Sequence, residues 1–153
     1  MNMALEGKKV LLTGATGSLG MVIAKKLSEQ GAELALSSTS LAKLEKLAKE
    51  LGPKCHIFPC DLSTLSNIDK LTEQVTKRFD NIDVLINNAG IKKDDLLIRM
   101  KDDDWLNVIN INLNSYFKLT KNIAKVMFKQ RSGKIISISS VVGFTGNPGQ
   151  ANY

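Results

Sequence analysis

Short apolar runs alternate along this chain with longer segments whose apolar residues recur at helical spacing. Five of the runs are predicted strands: residues 8–13 (KKVLLT), 33–38 (ELALSS), 54–60 (KCHIFPC), 83–88 (DVLINN) and 133–140 (GKIISISS). Neighbouring parallel strands need long crossover connections, and those connections are usually helices. The alternation therefore predicts an α/β fold, a doubly wound parallel sheet with helices on both faces and strand order 3-2-1-4-5.

Four helical segments are predicted between these strands. The first three carry apolar stripes at helical spacing: Leu19, Val22, Ile23 and Leu27, then Leu41, Leu44, Leu47 and Leu51, then Ile68, Leu71, Val75 and Phe79. Gly31 is expected to end the first helix and Gly52-Pro53 the second. Ser66, with Asp69 three residues later, resembles a capping box at the start of the third.

The fourth helical segment is predicted as one long helix from about residue 103 to residue 130. Its apolar residues, among them Leu113 and Phe117, occupy more than one face. Such a helix is either deeply buried or packs against a partner subunit.

Composition is that of an ordinary folded protein. Of the 153 residues, 43% are hydrophobic and 24% are charged, and we interpret residues 1–153 as one domain. The sequence shows no signal-peptide pattern and no apolar stretch near the roughly 20 residues of a membrane span, so we expect a soluble, cytoplasmic protein with no membrane partner. Cys55 and Cys60 are expected to be reduced, buried thiols, with no metal site.

Basic residues outnumber acidic ones by 21 to 15, which gives a formal net charge of +6. Such a field attracts phosphates, acidic proteins or nucleic acid. The basic residues are scattered, however, without the charge blocks or interleaved aromatic residues of a nucleic-acid-binding arm. We therefore expect no nucleic-acid partner, and a solvated lysine-rich surface is an equally good interpretation of the charge.

A glycine-rich stretch, TGATGSLG, follows the first predicted strand and opens directly into a helix. A tight turn at a helix N-terminus presents backbone N–H groups and the positive end of the helix dipole to a phosphate. The alternative is that the glycines serve only the turn. The expected phosphate-binding residues are Gly14, Thr16, Gly17, Ser18, Leu19 and Gly20.

The second predicted strand ends in SSTS, without an acidic residue. An acidic side chain at that place would bind the ribose 2′-hydroxyl of NAD(H), whereas Ser38 and Thr39 can donate hydrogen bonds to a 2′-phosphate. We therefore expect NADPH or NADP+ as the cofactor. Ser40 is also expected to cap the following helix.

Two further strand ends are expected at the same edge of the sheet. The third strand ends in Cys60-Asp61-Leu62 and the fourth in Asn87-Asn88-Ala89-Gly90. Open α/β sheets bind their ligands at the carboxyl ends of their strands. These residues are therefore expected to line the same groove as the glycine-rich turn.

The motifs TGATGSLG, CDL, NNAG, ISISS and GQANY, with Asn112 in the long helix, resemble in order and spacing those of the short-chain dehydrogenase/reductase family. The resemblance covers essentially all 153 residues and implies an NAD(P)-binding domain of the Rossmann type, the N-terminal part of such an enzyme. More narrowly, NNAGIKKDDLLIRMKDDDW and SVVGFTGNPGQANY look like the β-ketoacyl-acyl-carrier-protein reductases of type II fatty acid synthesis.

That narrower resemblance implies an oxidoreductase that uses NADPH to reduce 3-oxoacyl groups on acyl carrier protein to 3-hydroxyacyl groups. It also implies a homotetramer and an acidic carrier protein as partner, which would dock near Lys129 and Arg131. The plain alternative for those two residues is a solvated helix end. A short-chain dehydrogenase acting on another carbonyl or alcohol, and a non-catalytic nucleotide- or partner-binding module, are the other functions that we keep open.

The resemblance also assigns roles to single residues. Tyr153 would be the general acid, Ser140 the hydroxyl that binds the substrate carbonyl, and Asn112 the holder of a proton-relay water. Donors aimed at the carbonyl oxygen stabilise the charge that develops there, and a tyrosine can also give up its proton. Ser140 is otherwise an ordinary strand-end hydroxyl, and Asn112 an amide that bonds the backbone. The residues that would contact the adenine are Asp61 and Leu62, and those beside the nicotinamide ribose are Asn88, Ala89 and Gly90.

Three features depart from the family pattern. Ser18 stands where the family has a glycine, so we expect cofactor binding to be reduced but not abolished; the alternative is that its hydroxyl donates to a phosphate oxygen. Gly17 stands where many NADP-dependent members carry a basic residue, a departure that bears on the choice of NADP(H) over NAD(H). The family motif Y-x-x-x-K is reached only as far as Tyr153, without the lysine that activates the tyrosine. This third departure also leaves out the family's C-terminal strands, so the fifth strand is expected to be an uncovered edge and the 153-residue chain alone to be inactive.

Overall fold

Five parallel strands form one sheet in the order 3-2-1-4-5 in a computed structural model that describes residues 3–153. The predicted strand order and the Rossmann-like α/β fold are thereby confirmed. β1 pairs with β2 on one side and with β4 on the other, so that Leu11 lies opposite both Ala35 and Leu85. The strands are β1 (Lys9–Thr13), β2 (Glu33–Ser38), β3 (Cys55–Pro59), β4 (Val84–Asn87) and β5 (Lys134–Ser137).

Helices connect the strands and cover both faces of the sheet. They are α1 (Ser18–Glu29), α2 (Leu41–Leu51), α3 (Leu65–Phe79), α4 (Asp102–Ile109), α5 (Ser115–Gln130) and α6 (Val142–Thr145). Leu11 of β1 packs with residues of α3 and α5, whereas Val10 and Leu12 pack with residues of α1 and α2. Full burial of a leucine side chain contributes roughly 1.5–3 kcal/mol to stability, so this alternation along β1 anchors both layers.

The predicted single helix over residues 103–130 is interrupted. A π-helical turn, Asn110–Asn114, joins α4 to α5. Of the two alternatives for this region, deep burial is excluded on the face that carries Leu113 and Phe117, which are 60% and 65% exposed. Packing against a partner subunit stays a prediction. The short helix α6 was not predicted.

Two details of the helix predictions are wrong. In α1, Leu19 and Val22 are exposed, and the buried residues are Gly20 and Ala24, because this helix approaches the strands through its small residues. α3 begins at Leu65 after Thr64, and no side chain caps it. Asp69 does not close a capping box; it accepts hydrogen bonds from Lys118 and Asn122 of α5, which together hold its pKa below the ordinary value for aspartate.

Other local predictions hold. Ser40 Oγ accepts a hydrogen bond from the Lys43 N–H at 3.4 Å, as expected for the cap of α2, and α2 ends at Gly52. Cys60 is a buried free thiol, and burial, with a smaller contribution from the neighbouring Asp61 carboxylate, raises its pKa to about 11. Cys55 is free but only half-buried, which corrects the expectation that both thiols are buried.

β5 is shorter than the predicted strand over residues 133–140, because it ends at Ser137. It pairs with β4, and both Ile135 and Ile136 are at least 40% exposed. The strand is thus an exposed edge, as expected. Within residues 3–153, no helix combines the length and the apolar character that crossing a bilayer requires.

Candidate functional site

One cavity of about 890 Å³ opens at the carboxyl edge of the sheet, and all of the predicted catalytic and cofactor-binding residues line it. Asn87, expected with them from the end of the fourth strand, is buried and does not line it. This volume lies in the range of small-molecule and cofactor sites. From the glycine-rich turn and β2 come Gly14, Thr16, Gly17, Ser18, Leu19, Gly20, Ser38 and Thr39. From the other strand ends, the π turn and the last residues come Asp61, Leu62, Asn88, Ala89, Gly90, Asn112, Ser140 and Tyr153.

The glycine-rich turn brings backbone against backbone. Gly14 has φ 63°, and a Cβ atom there would lie 2.8 Å from the Cα atom of Ala89. A Cβ atom on Gly20 would collide with the carbonyl oxygen of Gly14 and would lie 2.9 Å from the Cα atom of Ala15. Glycine is therefore required at both positions. A side chain on Gly14 would collide with the main chain that follows β4, and a side chain on Gly20 would push α1 away from the glycine-rich turn.

The N-terminus of α1 lies at the cavity wall without a side-chain cap. Gly17 is the cap residue and has no side chain, and the first turn of the helix contains no acidic residue. The first N–H groups of a helix have no intrahelical acceptor, and the helix dipole is positive at this end. Ser18, the first residue of α1, lines the cavity. This end of the cavity therefore suits a phosphate.

Two contacts attach the glycine-rich turn to the end of β2. Thr16 Oγ1 donates a hydrogen bond to Ser38 Oγ at 2.9 Å, and the Ala15 N–H donates to the Ser37 carbonyl at 3.0 Å. Ser38 and Thr39 line the cavity beside this contact. The hydroxyl groups of Ser38 and Thr39 therefore lie on the cavity wall beside the turn that leads into α1, whose N-terminus suits a phosphate.

Asn88 fixes the turn from the opposite side. Its Nδ2 group donates hydrogen bonds to the carbonyls of Thr13 and Gly14, at 3.0 and 3.2 Å. Thr13 Oγ1 in turn accepts from the N–H groups of Asn88 and Ala89, at 3.1 and 3.2 Å. The end of β4 and the glycine-rich turn are therefore held together by side chains as well as by the sheet.

Asn112 lies in the π-helical turn and holds the chain that follows β4. Its Oδ1 atom accepts a hydrogen bond from the Ile91 N–H at 2.9 Å, and its Nδ2 group donates to the Ile91 carbonyl at 2.8 Å. π-helical turns inside α-helices frequently occur at functional sites. Here the turn places one amide side chain at the cavity and against the main chain of Ile91.

Ser140 and Tyr153 both line the cavity. Ser140 is half-buried, and its Oγ atom accepts a hydrogen bond from the Val142 N–H at 3.3 Å. That contact leaves the hydroxyl hydrogen of Ser140 free to be donated. Tyr153 is 45% exposed, so its phenol is accessible to the cavity and to solvent.

Tyr116 is a cavity residue that the sequence reasoning missed. Its hydroxyl lies 3.5 Å from the Ile138 carbonyl, which it faces as a donor. Burial raises the pKa of Tyr116 to about 12, and the nearby Tyr153 acts in the same direction. Its position one helical turn after Asn112 was the available signal. The other missed lining residues are Ile91, Lys92, Ile111, Ile138, Ser139 and Gly143.

The donor set fits a phosphate-containing dinucleotide better than a metal ion. The turn at Gly14 leaves no room for a Cβ atom, so a ligand can approach the backbone there. The uncapped start of α1 lines the cavity, as do the hydroxyl groups of Ser38 and Thr39. Across residues 3–153 there is no group of three or more His, Cys, Asp and Glu side chains that could hold a metal ion.

Comparison with known proteins agrees with this geometry. A family model described as a short chain dehydrogenase matches residues 8–153. The chain belongs to the short-chain dehydrogenase family. Similar curated proteins are nodulation protein G of Rhizobium sp. strain N33, 46% identical, and the 3-oxoacyl-[acyl-carrier-protein] reductases FabG of Haemophilus influenzae and Aquifex aeolicus, each 43% identical. These alignments cover 97%, 97% and 100% of this chain but only 61%, 62% and 63% of the relatives, so the chain spans about three fifths of their length.

Proposed function

We propose that this chain forms the NAD(P)-binding and carbonyl-binding part of an oxidoreductase that uses NADPH to reduce 3-oxoacyl-acyl-carrier protein to the 3-hydroxyacyl product, a step of type II fatty acid synthesis. One observation carries the proposal: Ser140, Tyr153 and the glycine-rich turn line a single cavity. Membership in the short-chain dehydrogenase family and the reductase names of two similar proteins support it.

Different groups of cavity residues would bind different parts of the cofactor. The turn from Gly14 to Gly20 would bind the pyrophosphate, with Ser38 and Thr39 on the ribose 2′-phosphate. Asp61 and Leu62 would contact the adenine, and the segment after β4 would contact the nicotinamide ribose. The hydroxyl of Ser18, at the first position of α1, adds a donor where the family has a bare backbone. When bound, NADPH supplies the hydride that the substrate carbonyl carbon receives.

The carbonyl oxygen is the atom that this chain's own groups would stabilise. Ser140 would donate its free hydroxyl hydrogen to that oxygen, because the Val142 N–H already uses one of its lone pairs. Tyr153 would donate the phenolic proton to the same oxygen as negative charge develops on it. The 45% exposure of Tyr153 leaves a route by which solvent returns the proton.

Asn112 has the capacity for the relay role as well as for its bond to Ile91. An amide oxygen has a second lone pair and an amide nitrogen has a second hydrogen. Asn112 uses one of each on the main chain of Ile91. The remaining pair is what holding a relay water requires, so fixing the segment and holding the water are compatible roles.

Lys129 and Arg131, both exposed at the end of α5, are proposed as part of the docking surface for the acidic carrier protein. Opposite charge on the two surfaces would speed their encounter. A homotetramer is proposed alongside, with the exposed Leu113 and Phe117 among the residues available to a partner subunit.

The test follows the oxidation of NADPH by the protein as its gene encodes it, with a 3-oxoacyl thioester on acyl carrier protein as substrate. Turnover that falls by about 100- to 10,000-fold in Tyr153→Phe, with NADPH binding retained, supports the proposal. Faster turnover of other carbonyl compounds would favour a different substrate. The similarity to nodulation protein G is the reason to include such compounds in the assay. NADPH binding without turnover of any carbonyl would identify a non-catalytic module.

A further inference from the structure

Residues 147–153, which carry Tyr153, lie against residues 91–95, which follow β4. Hydrogen bonds join the two segments at three places. They run from the Asp95 N–H to the Gly149 carbonyl at 2.9 Å, from Gln150 Nε2 to Asp94 Oδ1 at 3.1 Å and from Asn152 Nδ2 to the Lys93 carbonyl at 2.9 Å.

Asn152 is the buried residue of this contact. It is 5% exposed, whereas the bond between Gln150 and Asp94 lies at the surface. The Nδ2 group of Asn152 also lies 3.5 Å from the Asp104 carbonyl, at the start of α4. Two carbonyl oxygens therefore face one amide group, and both of its hydrogens have an acceptor.

The other end of the same amide has no partner. Asn152 Oδ1 is buried and makes no hydrogen bond within the described part of the chain. A buried acceptor without a donor lowers stability, so this oxygen does not explain why an asparagine stands here. The property that Asn152 contributes is thus its pair of donor hydrogens.

Residues 91–95 are held at their other end by Asn112, through both main-chain groups of Ile91. One asparagine amide, on the π-helical turn, fixes the start of the segment. A second, directly before Tyr153 in the chain, fixes it two residues later. The segment is therefore a connection between the cavity residue Asn112 and the main chain that carries Tyr153.

We infer that Asn152 is the positioning residue for Tyr153. Its amide holds the main chain next to Tyr153 on Lys93, and the Tyr153 N–H donates to the Gln150 carbonyl at 3.1 Å. The phenol is thereby kept at the cavity. This role rests on the proposed function of Tyr153 as proton donor, and Asn152 itself is not among the residues that line the cavity.

The substitutions Asn152→Asp and Asn152→Leu remove the donors in two ways. Aspartate keeps the shape but places a carboxylate against the carbonyls of Lys93 and Asp104, two residues whose charged side chains face each other at 3.8 Å. Leucine removes the donors without adding charge. Asn147→Asp is the matched control, because it makes the same change in the same segment at an exposed position.

Hydrogen exchange of the protein as its gene encodes it tests the contact without any need for activity. The Asp95 amide, which donates to Gly149, is expected to exchange at least tenfold faster in both Asn152 variants and at the wild-type rate in Asn147→Asp. Unchanged exchange at Asp95 in both Asn152 variants would overturn the inference, whether or not the protein reduces a 3-oxoacyl thioester.

Turnover of the protein as its gene encodes it gives the second readout. Both Asn152 variants are expected to lower kcat by roughly 10- to 100-fold with the Kd for NADPH unchanged. The ratio of Asn152→Asp to wild-type kcat should rise as the pH falls, because the carboxyl group must be protonated to donate to the Lys93 carbonyl. The same ratio for Asn152→Leu should stay flat. A flat ratio for both variants, or a wild-type kcat in either, would contradict the positioning role.

Discussion

The side-chain amide of Asn112 bonds both main-chain groups of Ile91, with Oδ1 accepting from its N–H at 2.9 Å and Nδ2 donating to its carbonyl at 2.8 Å. A Cβ atom on the preceding Gly90 would lie 3.5 Å from the same Oδ1 atom. The π-helical turn thus sits directly on the chain that lines the nicotinamide end of the proposed site.

Replacement of Asn112 by alanine is expected to destabilise the protein by about 1–3 kcal/mol, because it leaves two main-chain groups of Ile91 without partners. Urea unfolding measures this change. Asn114→Ala is the matched control from the same turn, since Asn114 bonds only Asn110, at 2.8 Å. An equal loss of stability in the two variants would mean that the contact with Ile91 contributes no more to the free energy of unfolding than the contact between Asn114 and Asn110.

Gly14→Ala is expected to be more damaging than Gly7→Ala, although both glycines have positive φ angles, 63° and 72°. A Cβ atom on Gly7 meets nothing within 4 Å, so this variant reports backbone strain alone, about 1–2 kcal/mol. At Gly14 the collision with Ala89 should add about 1–3 kcal/mol.

Thermal or urea unfolding compares the two glycine variants, and calorimetry follows their NADPH binding. Gly14→Ala should also lose measurable binding, since the turn lines the cavity. Equal stability and equal binding in the two variants would show that the close approach of the turn to Ala89 has no consequence.

Ser38→Asp is expected to raise the Kd for NADPH by roughly tenfold or more, because a carboxylate would face the 2′-phosphate. Binding of NADH, which lacks this phosphate, should be retained. Ser40→Asp serves as control, because it adds the same charge while aspartate remains a good cap for α2. If NADPH and NADH respond equally to Ser38→Asp, the assignment of the 2′-phosphate to Ser38 fails.

Tyr116→Phe is expected to reduce the loss of stability at alkaline pH. The folded-state pKa of Tyr116, about 12, lies above the ordinary value of about 10, so the unfolded chain releases this proton first. The stability that the group contributes is present below pH 10 and is lost as the pH rises through this window. Urea unfolding at a series of pH values compares the two proteins, whose other titrating groups are shared. Parallel declines would contradict the raised pKa.

The sheet could be predicted because its buried strands are recognisable as apolar runs in the sequence. Strands covered on both faces read as apolar runs, and the crossover helices between them leave few topologies. The exposed end of the fifth run shows the limit. Ile138 N–H still donates to the Asn87 carbonyl at 2.8 Å, but the residues after it leave the sheet for the cavity wall. The composition of the run therefore does not show which of its residues stay in the sheet and which leave it.

The predictions that failed depend on contacts distant in sequence. Asp69 was assigned to a capping box, but Lys118 and Asn122 lie within its reach in the folded chain. The π-helical turn carries the contact of Asn112 with Ile91, which local helical spacing cannot show. Residue types at strand ends are informative because the sheet brings those ends together, whereas Tyr116 lies inside α5, where no strand end marks it.

The most direct test of the proposed reduction uses NADPH carrying deuterium at the transferable position of its nicotinamide ring. The protein as its gene encodes it is supplied with 3-oxoacyl-acyl carrier protein, and the product is analysed by mass spectrometry. The account predicts a 3-hydroxyacyl product with one deuterium on its hydroxyl-bearing carbon, formed much more slowly by Tyr153→Phe. A product without deuterium, or no product although NADPH binds, would contradict it.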